Sequence, residues 1–575
     1  MRGQRWRRRL NDDQAAFALG QALGVPDVLA RVLAGRGVAV HQARAFLNPS
    51  LRQDMPDPHV LADMERAAAR LARAVIAGEP IGLFADYDVD GATSAAVLTQ
   101  FLKAVGARAR IYVPDRLSEG YGPSAQAFAL LAAEGLKLVL TLDCGTRAHA
   151  ALDAGARLGL EILVIDHHLP GTELPRAYAI VNPNRADDVS GLGQLCAAGV
   201  AFLLAVALNR ALRDAGWYGS RAEPDLRGLL DLVALGTVCD VVPLKGLNRT
   251  FVTQGLKILR GTTNPGLAAL AEVARSAKTP GAYDLGFIFG PRINAGGRMG
   301  DSSLGARLLT TEDPQEARRI AMQLDAMNRQ RREIEAEVEA QASALAEQRP
   351  GPILVLAGEA WHPGVVGIVA GRLRERFGRP CLVFGVDEAR LGKGSGRSMK
   401  GVDLGRAVGA AEEAGIILRG GGHAMAVGLT AHESQIAGLE AFLEERLGEE
   451  VAAARGADAL EIDAVLSVAG ATRSLADDLD AAGPYGAGNP QPTVALTPAR
   501  VSYVAPAGEQ HLRLTLEGAN GGRVRAVAFR SVGTPLGDVL SKVSNTWLHV
   551  AGHLKADNWA GATGVQLVIE DAAPA

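Results

Sequence analysis

Cysteine is scarce in this chain. Its four cysteines, Cys144, Cys196, Cys239 and Cys381, are scattered through 575 residues with no CxxC pair. That spacing argues against a zinc ribbon and a disulfide framework, and suits a reducing cytosol. An excess of positive charge is missing too. Sixty Lys and Arg stand against 63 Asp and Glu, for a net charge of −3. A protein that merely coats nucleic acid is usually strongly basic, so any contact with nucleic acid here must rest on local charge. The longest apolar run, AAGVAFLLAVAL at 197–208, is too short for a membrane span and reads as a buried core helix. The basic start, MRGQRWRRRL, lacks the apolar segment of a secretory signal. No internal repeat is visible. The expectation is a cytoplasmic globular protein of about three or four domains.

Residues 1–55 read as a small helical lead-in. Over 56–311, apolar runs alternate with Ala- and Leu-rich stretches: IGLFA then ATSAAVLTQFLKAVG, KLVLTLDCG then RAHAALDAGARLG, then EILVIDHH. Strands covered on both faces are almost entirely apolar, so the alternation predicts a parallel α/β domain. Residues 312–350 predict one long helix. Its apolar stripe (Leu324, Met327, Ile334, Val338) is thin, which reads as a mostly solvated spacer. Residues 351–455 return to strand–helix alternation, a second and smaller α/β unit. Residues 456–575 carry short alternating runs such as HLRLTLEG and WLHVAGHLKA between Gly and Asn turns, the pattern of a small β-barrel.

The chemistry is concentrated in DYDVDG at 86–91 and its counterparts. A calcium loop of the EF-hand kind is excluded. Its twelfth position needs a bidentate Glu and here is Val97, and the preceding IGLFA suits a strand rather than a helix. Acids and imidazoles follow four strand or helix ends: Asp86, Asp88 and Asp90; Asp143; Asp166, His167 and His168; and Asp240. In a parallel sheet the carboxyl ends of the strands share one edge, where ligands bind. So many carboxylates in one place need compensation, and a pair of divalent cations supplies it. Oxygen ligands with one or two imidazoles favour Mn2+ over Mg2+ and over structural Zn2+. Two metals are a standard device for in-line attack on a phosphoester. Each piece alone has a plainer reading. DxDxD is also a turn of solvated acids, a lone Asp is a helix cap, and Cys144 and Cys239 are small core residues. Their coincidence favours the metal site.

In this order, DYDVDGATS, LDCG, DHH and DVVPL resemble the four motifs of the DHH phosphoesterase superfamily. GGGHAMAVG at 420–428, with SGRS at 395–398 ahead of it, resembles the domain that follows DHH in many members. EGYGPS at 119–124, VNPN at 181–184, RINAGGRM at 292–299 and PYGAGNPQP at 484–492 are similar to the RecJ-type single-strand exonuclease branch. The resemblance covers nearly the whole chain. It implies a parallel-sheet DHH domain, a long helix, a smaller α/β DHH-associated domain and an OB-fold. It also implies Mn2+-dependent 5′-to-3′ hydrolysis of single-stranded DNA to 5′-mononucleotides in recombination and repair, with two ions and Mg2+ as a substitute.

Carried over by position, Asp143 bridges the metals, and Asp86, Asp88, Asp90, His167 and Asp240 supply the other ligands. His168 contacts the scissile phosphate and Asp166 orients the imidazoles. His423, presented by a turn with Gly421 and Gly422, stabilises charge on the phosphoryl oxygens. Ser395 and Arg397 suit a terminal phosphate, with Arg116, Arg292 and Arg298 as further candidates; Arg292 and Arg298 equally suit holding a loop carbonyl. In the OB-fold, Tyr503, Arg513, Arg525, Lys555 and Trp559 are candidates for gripping a strand. The implied partners are single-stranded DNA with a 5′ end, a single-strand-binding protein and a helicase. No membrane is involved, and the chain is expected to be a monomer. Two other readings compete. A DHH phosphatase for pyrophosphate or small nucleotides needs no OB module. A non-catalytic DNA-binding scaffold loses its metal ligands.

Overall fold

Arg5–Arg8, in the basic stretch near the start of the chain, is extended. In the computed structural model, which describes residues 5–116, 118–276, 279–457, 459–542, 546–557 and 564–575, strand β1 (Arg5–Arg8) pairs in parallel with the strand Ala459–Ile462. The helical lead-in expected there consists of the short helices Asp13–Leu23, Asp27–Gly35 and Val40–Leu47, with the strand β1 ahead of them. Their apolar faces (Leu19, Leu29, Val32, Leu33) share a core with Leu496, Leu514 and Leu516 of the C-terminal module. Arg9 and Arg36 both reach the buried Asp463, each at 2.9 Å. A buried carboxylate paired on two sides ties this segment to the C-terminal module, because removing that carboxylate would leave the buried Arg36 guanidinium without its ion pair.

The α/β domain is built on β2 (Ile81–Ala85), β3 (Ala109–Tyr112), β4 (Leu138–Leu142), β5 (Glu161–Ile165) and β6 (Ala179–Val181). They pair in the order β3-β2-β4-β5-β6, all parallel. Every residue of β2 and β4 is buried, as a strand covered by helices on both faces requires. The expected core helix runs over Ala197–Asp214. GLLDLVALGTVC is the helix Leu230–Cys239, so the fourth acidic motif leaves a helix rather than the sheet. A continuous apolar run cannot distinguish the two.

The long helix, Pro314–Glu347, is more than a solvated spacer. Ala317, Ile320, Ala321 and Leu324 join the core of the first domain, and Val338, Ala342 and Ala346 join a core of the second. The stripe looked thin because alanines carry much of it. Midway, Glu335 is buried with Arg331 at 3.0 Å and Arg372 beside it. The helix is a wall common to both units.

The second unit has β7 (Leu354–Glu359), β8 (Cys381–Val386), β9 (Leu391–Arg397), β10 (Arg419–His423) and β11 (Ala426–His432), in the order β10-β11-β9-β8-β7. In this sheet β7 and β8 run parallel and the other pairs are antiparallel. After β12 (Ala459–Ile462) and β13 (Ala464–Leu466) come β14 (Val494–Ala507), β15 (His511–Gly518), β16 (Arg523–Ala528), β17 (Trp547–Ala556) and β18 (Val565–Pro574). The pairing β14-β15-β16-β18-β17 is closed by β14 with β17, which makes an OB-like barrel and removes the sheet edges. Among the described residues no helix is long and apolar enough to cross a membrane.

Candidate metal centre

The carboxyl ends of β2, β4 and β5 lie side by side, so the residues just beyond them converge. Asp86 continues β2, its N–H donating to Leu142 O; Asp143 continues β4, donating to Ile165 O; Asp166 continues β5, donating to Val181 O. Asp143 then adopts φ 61°, a left-handed conformation that Asp tolerates better than most side chains. Val241, directly after Asp240, holds φ 60°, which is more costly still for a β-branched residue. Gly91 is obligatory where the DYDVDG loop turns into the helix Val89–Ala104. A Cβ there would lie 2.3 Å from the Asp86 carbonyl oxygen. Asp88 caps that helix, Oδ1 accepting from the N–H groups of Asp90 and Gly91 at 2.9 and 3.1 Å.

Two groups of ligand atoms, each within 4.8 Å of one another, divide the acids: Asp86, Asp88 and Asp143 in one, Asp90, His167 and Asp240 in the other. Asp143 joins them, since it also groups with His167 and His168, and its Oδ1 lies 3.3 Å from His167 Nε2. That nitrogen is also 3.6 Å from Asp240 Oδ2 and 3.8 Å from Asp90 Oδ2. Asp86 Oδ1, Asp143 Oδ1, His167 Nε2 and Asp240 Oδ2 are all buried without a hydrogen-bond partner. Orphaned polar atoms on residues gathered this closely are what a cation site requires, since each would otherwise carry an uncompensated desolvation cost. Asp90 is anchored separately, accepting from the N–H groups of Ala197 and Ala198 at 2.6 and 2.9 Å in the first turn of their helix.

The electrostatics of the protein alone carry the same message. Burial and the neighbouring Asp88 push the Asp86 carboxyl well up. Burial and the charges of Asp90, Asp88, Asp86 and Asp240 do the same to Asp143. Burial, with Asp90 and Asp88, pushes Asp240 up to about 9. Burial lowers His167, against the pull of Asp90, so its imidazole is neutral and able to ligate. Asp166 differs. Burial opposes its charge, but the bond from His168 and the charge on that ring outweigh it and hold the carboxyl below the usual range. Its Oδ1 accepts from the N–H groups of His167 (2.7 Å) and His168 (3.1 Å) and faces His168 Nδ1 at 2.8 Å. Burial likewise opposes charge on His168, and the Asp166 bond and charge raise it.

Reading by residue type missed the neutral groups that complete the site. Tyr121 donates its hydroxyl to the Asp143 carbonyl at 3.0 Å, and its ring meets His168 edge-on. Asn182 donates to Thr146 Oγ1 and to the His168 carbonyl, at 2.9 and 2.8 Å, and Asn184 to the His167 carbonyl at 2.5 Å. Their signal lay in the EGYGPS and VNPN runs alone. Cys144 and Cys239 are core-like: burial raises both thiols, and neither falls in a group of ligand atoms among the described residues.

A cationic pocket adjoins the acids. The Arg116 guanidinium lies 5.0 Å over the ring of Tyr87, next to Asp86. Burial, then the charges of Arg116, Arg331 and Arg397, push Arg298 down to about 9. Burial, then Arg116 and Arg374, lower Arg397. Arg397 Nη1 donates to Ser395 Oγ at 3.1 Å, and both side chains lie against Gly367 in the first turn of the helix Val366–Phe377. None of Arg116, Arg298 and Arg397 has an ion pair with a carboxylate among the described residues. Arg298 Nη1 donates to the Gly364 carbonyl at 2.8 Å. Arg292 is committed elsewhere, to Asp325 at 3.0 Å and to the Ile288 carbonyl at 2.7 Å.

His423 stands apart. It ends β10, with Gly421 and Gly422 as strand residues rather than a turn, and its side chain is exposed. It makes no hydrogen bond or ion pair with the acids among the described residues. In the barrel, Tyr503 and Arg513 are exposed on β14 and β15, Lys555 is exposed on β17, and Arg525 pairs with Asp557 at 3.3 Å. Trp559 lies outside the described residues.

Residues 80–237 match the DHH family, N-terminal domain; residues 351–449 match the DHHA1 domain; residues 462–571 match the RecJ OB domain. The chain is 40% identical over 560 residues to the single-stranded-DNA-specific exonuclease RecJ of Dickeya dadantii, covering 95% of this chain and 96% of that protein. It is 39% identical over 516 residues to the protein of that name from Escherichia coli, covering 87% and 88%. Its fold is similar to the crystal structure of RecJ in complex with Mn2+ from Thermus thermophilus, with a TM-score of 0.82, 30% identity, and coverage of 100% of this chain and 80% of that one. The structure of RecJ with Mg2+ from the same organism matches with a TM-score of 0.76, 28% identity, and coverage of 100% and 79%.

Proposed function

The chain belongs to the RecJ family of metal-dependent, single-stranded-DNA-specific exonucleases, and from that premise we propose that it removes 5′-mononucleotides from the 5′ end of single-stranded DNA, using two divalent cations, Mn2+ by preference. One observation carries the reading: Asp86 Oδ1, Asp143 Oδ1, His167 Nε2 and Asp240 Oδ2 are all orphaned, on residues that share overlapping groups of ligand atoms. Asp86, Asp88 and Asp143 would hold one ion; Asp90, His167 and Asp240 the other, with Asp143 shared. When bound, the ions would promote ionisation of the attacking water and screen charge on the scissile phosphate.

The remaining work belongs to the chain. Water adds to phosphorus, the P–O3′ bond breaks, and the 3′ oxygen takes up a proton. His168 is held by Asp166 in a state that favours the imidazolium. That cation compensates a phosphoryl oxygen through Nε2 and keeps a proton close to the leaving oxygen. Tyr121, which burial and the charges of Asp166 and Asp143 keep protonated, buttresses His168 and fixes the carbonyl of Asp143. Direction comes from the second pocket. Arg116, Arg298 and Arg397 repel one another, and Ser395 and the first turn of a helix lie beside Arg397. A 5′-terminal phosphate relieves that repulsion and accepts guanidinium and helix N–H donors together. His423 enters only where a substrate reaches the exposed end of β10. A role in recombination and repair, a supply of strands by a helicase, contact with a single-strand-binding protein, and a monomeric state in the cytoplasm complete the proposal.

The test is degradation, with Mn2+, of a long single strand labelled at either end, beside a duplex, a dinucleotide and pyrophosphate. Release of the 5′ label first as a mononucleotide is expected. Faster turnover of the dinucleotide or of pyrophosphate would overturn it in favour of a small-molecule phosphatase.

A further inference from the structure

Tyr283 and Phe287 stack on each other with ring centroids 4.9 Å apart and 27° between the planes, yet 65% and 70% of their surfaces are exposed. Rings of this size usually supply core or interface area. Two left in water, one turn apart and stacked face to face, leave the outer faces of the pair open, apart from a cation over Tyr283. Their backbone is well anchored. Leu285 and Phe289, between and after them, are fully buried. The segment is pinned to the metal centre's own helix: Cys239 Sγ donates to the Leu285 carbonyl at 3.3 Å, and a Cβ on Gly290 would come 2.5 Å from that sulfur. Asp240 is the next residue after Cys239. From the opposite side the barrel brings Lys555, whose ammonium is 6.0 Å from the centre of the Tyr283 ring. A stacked aromatic pair with a cation over one ring thus sits where the acidic domain meets the barrel.

We propose that Tyr283 and Phe287 form a stacking platform for unpaired bases of the strand running between the metal centre and the barrel, with Lys555 contacting an adjacent phosphate. The inference rests on the reading of the protein as a single-strand exonuclease and adds a subsite to it. Every base has a π-face, so the platform reads no sequence; it needs bases whose faces are not already stacked in a duplex. The rings project from a buried backbone, so truncating them leaves the underlying core, Leu285 and Phe289, in place.

The test uses the full chain in an Asp143→Ala background, which blocks hydrolysis, and a labelled oligothymidylate long enough to reach the barrel. Tyr283→Ala with Phe287→Ala is expected to weaken binding roughly tenfold or more, and Tyr283→Phe with Phe287→Tyr to restore it. The same oligonucleotide with abasic sites is expected to bind both proteins alike. Lys555→Ala is expected to reduce the slope of log affinity against log salt by about 0.7. Without the background mutation, kcat/KM for a dinucleotide is expected to be unchanged by the two alanines. Equal affinity of the alanine variant and the parent for the intact strand would overturn the platform, as would a loss that persists on the abasic strand. Loss of a protein partner with strand binding intact would reassign the patch and overturn it too. If the unaltered enzyme fails to degrade single strands, the parent reading falls; if it degrades them and the alanines change nothing, only the platform does.

Discussion

His168 Nδ1 lies 2.8 Å from Asp166 Oδ1, and the same oxygen accepts the backbone N–H groups of both histidines. One buried carboxylate therefore sets the ring's orientation, its charge and the path of the chain at the DHH motif. Asp166→Asn keeps the shape and removes the charge. With the Asp166 charge gone, burial dominates and the His168 pKa falls. The alkaline limb of the kcat profile is expected to move to lower pH, with kcat down about 10- to 100-fold. An unmoved limb with normal kcat would show that His168 does not carry the proton in question.

Asp143 is the carboxylate that joins both groups of ligand atoms. Asp143→Ala is expected to abolish hydrolysis while single-strand binding survives, because the cationic pocket and the barrel are untouched. The check is a gel-based degradation assay beside anisotropy with the same oligonucleotide. Residual turnover near the parent rate would mean that the second group suffices.

Arg397 is crowded by Arg116 and Arg374, and has no carboxylate partner among the described residues. Arg397→Ala is expected to reduce the preference for a 5′-phosphorylated strand over a 5′-hydroxyl strand, measured as a ratio of kcat/KM values. Loss of one charge-assisted contact, about 1.5–3 kcal/mol, corresponds to roughly 10- to 150-fold in that ratio. An unchanged ratio would assign Arg397 a purely structural part.

The acidic centre was legible because its residues are charged, and a charged residue at the end of an apolar strand is seldom there for packing. Tyr121, Asn182 and Asn184 were not, since neutral hydrogen-bonding side chains in loops look alike until their acceptors are known. The burial along the long helix was hidden for a related reason. Ala317, Ala321, Ala342 and Ala346 bury as completely as leucine but leave little trace in a hydrophobic pattern. The docking of the N-terminal helices on the barrel, residue 9 to residue 463, lies beyond periodicity altogether, because a helix face does not name its partner. His423 was placed by motif alone, and its motif says nothing about how the end of β10 faces the acids.

Removing the metal should make stability depend on pH with a defined sign. Asp240 holds its proton up to about 9 in the metal-free fold, whereas an unfolded Asp releases it near ~3.9. Between those values the folded state binds more protons than the unfolded state, so stability falls as pH rises. Asp86 and Asp143, raised by burial and by their acidic neighbours, act in the same sense. The chelated protein is expected to lose Tm steadily from below about pH 5 toward about pH 9, and the Tm gained on adding Mn2+ is expected to grow over the same range. A gain independent of pH, followed by scanning calorimetry, would mean that these carboxyls are not what the ion neutralises.

The barrel also reaches the metal centre through its backbone. Gly488, at φ 69°, packs so closely that a Cβ would lie 2.8 Å from Pro243 Cβ, and the N–H of Leu244 donates to the Ala487 carbonyl at 2.8 Å. Pro243 and Leu244 belong to the run that begins with Asp240 and passes through the strained Val241. A left-handed residue pressed on a proline cannot accept a side chain without moving one or the other. Gly488→Ala is expected to shift this loop, displacing Asp240 Oδ2 from His167 Nε2, and to weaken Mn2+ binding several-fold, up to the roughly 10- to 100-fold typical when groups supporting a ligand are lost. Single-strand affinity, measured in the same preparation, is expected to hold, since the barrel strands are not touched. Calorimetric titration of Mn2+ into the metal-free variant decides the matter: an affinity equal to that of the parent would make the Gly488 loop a tether that leaves the ligands alone.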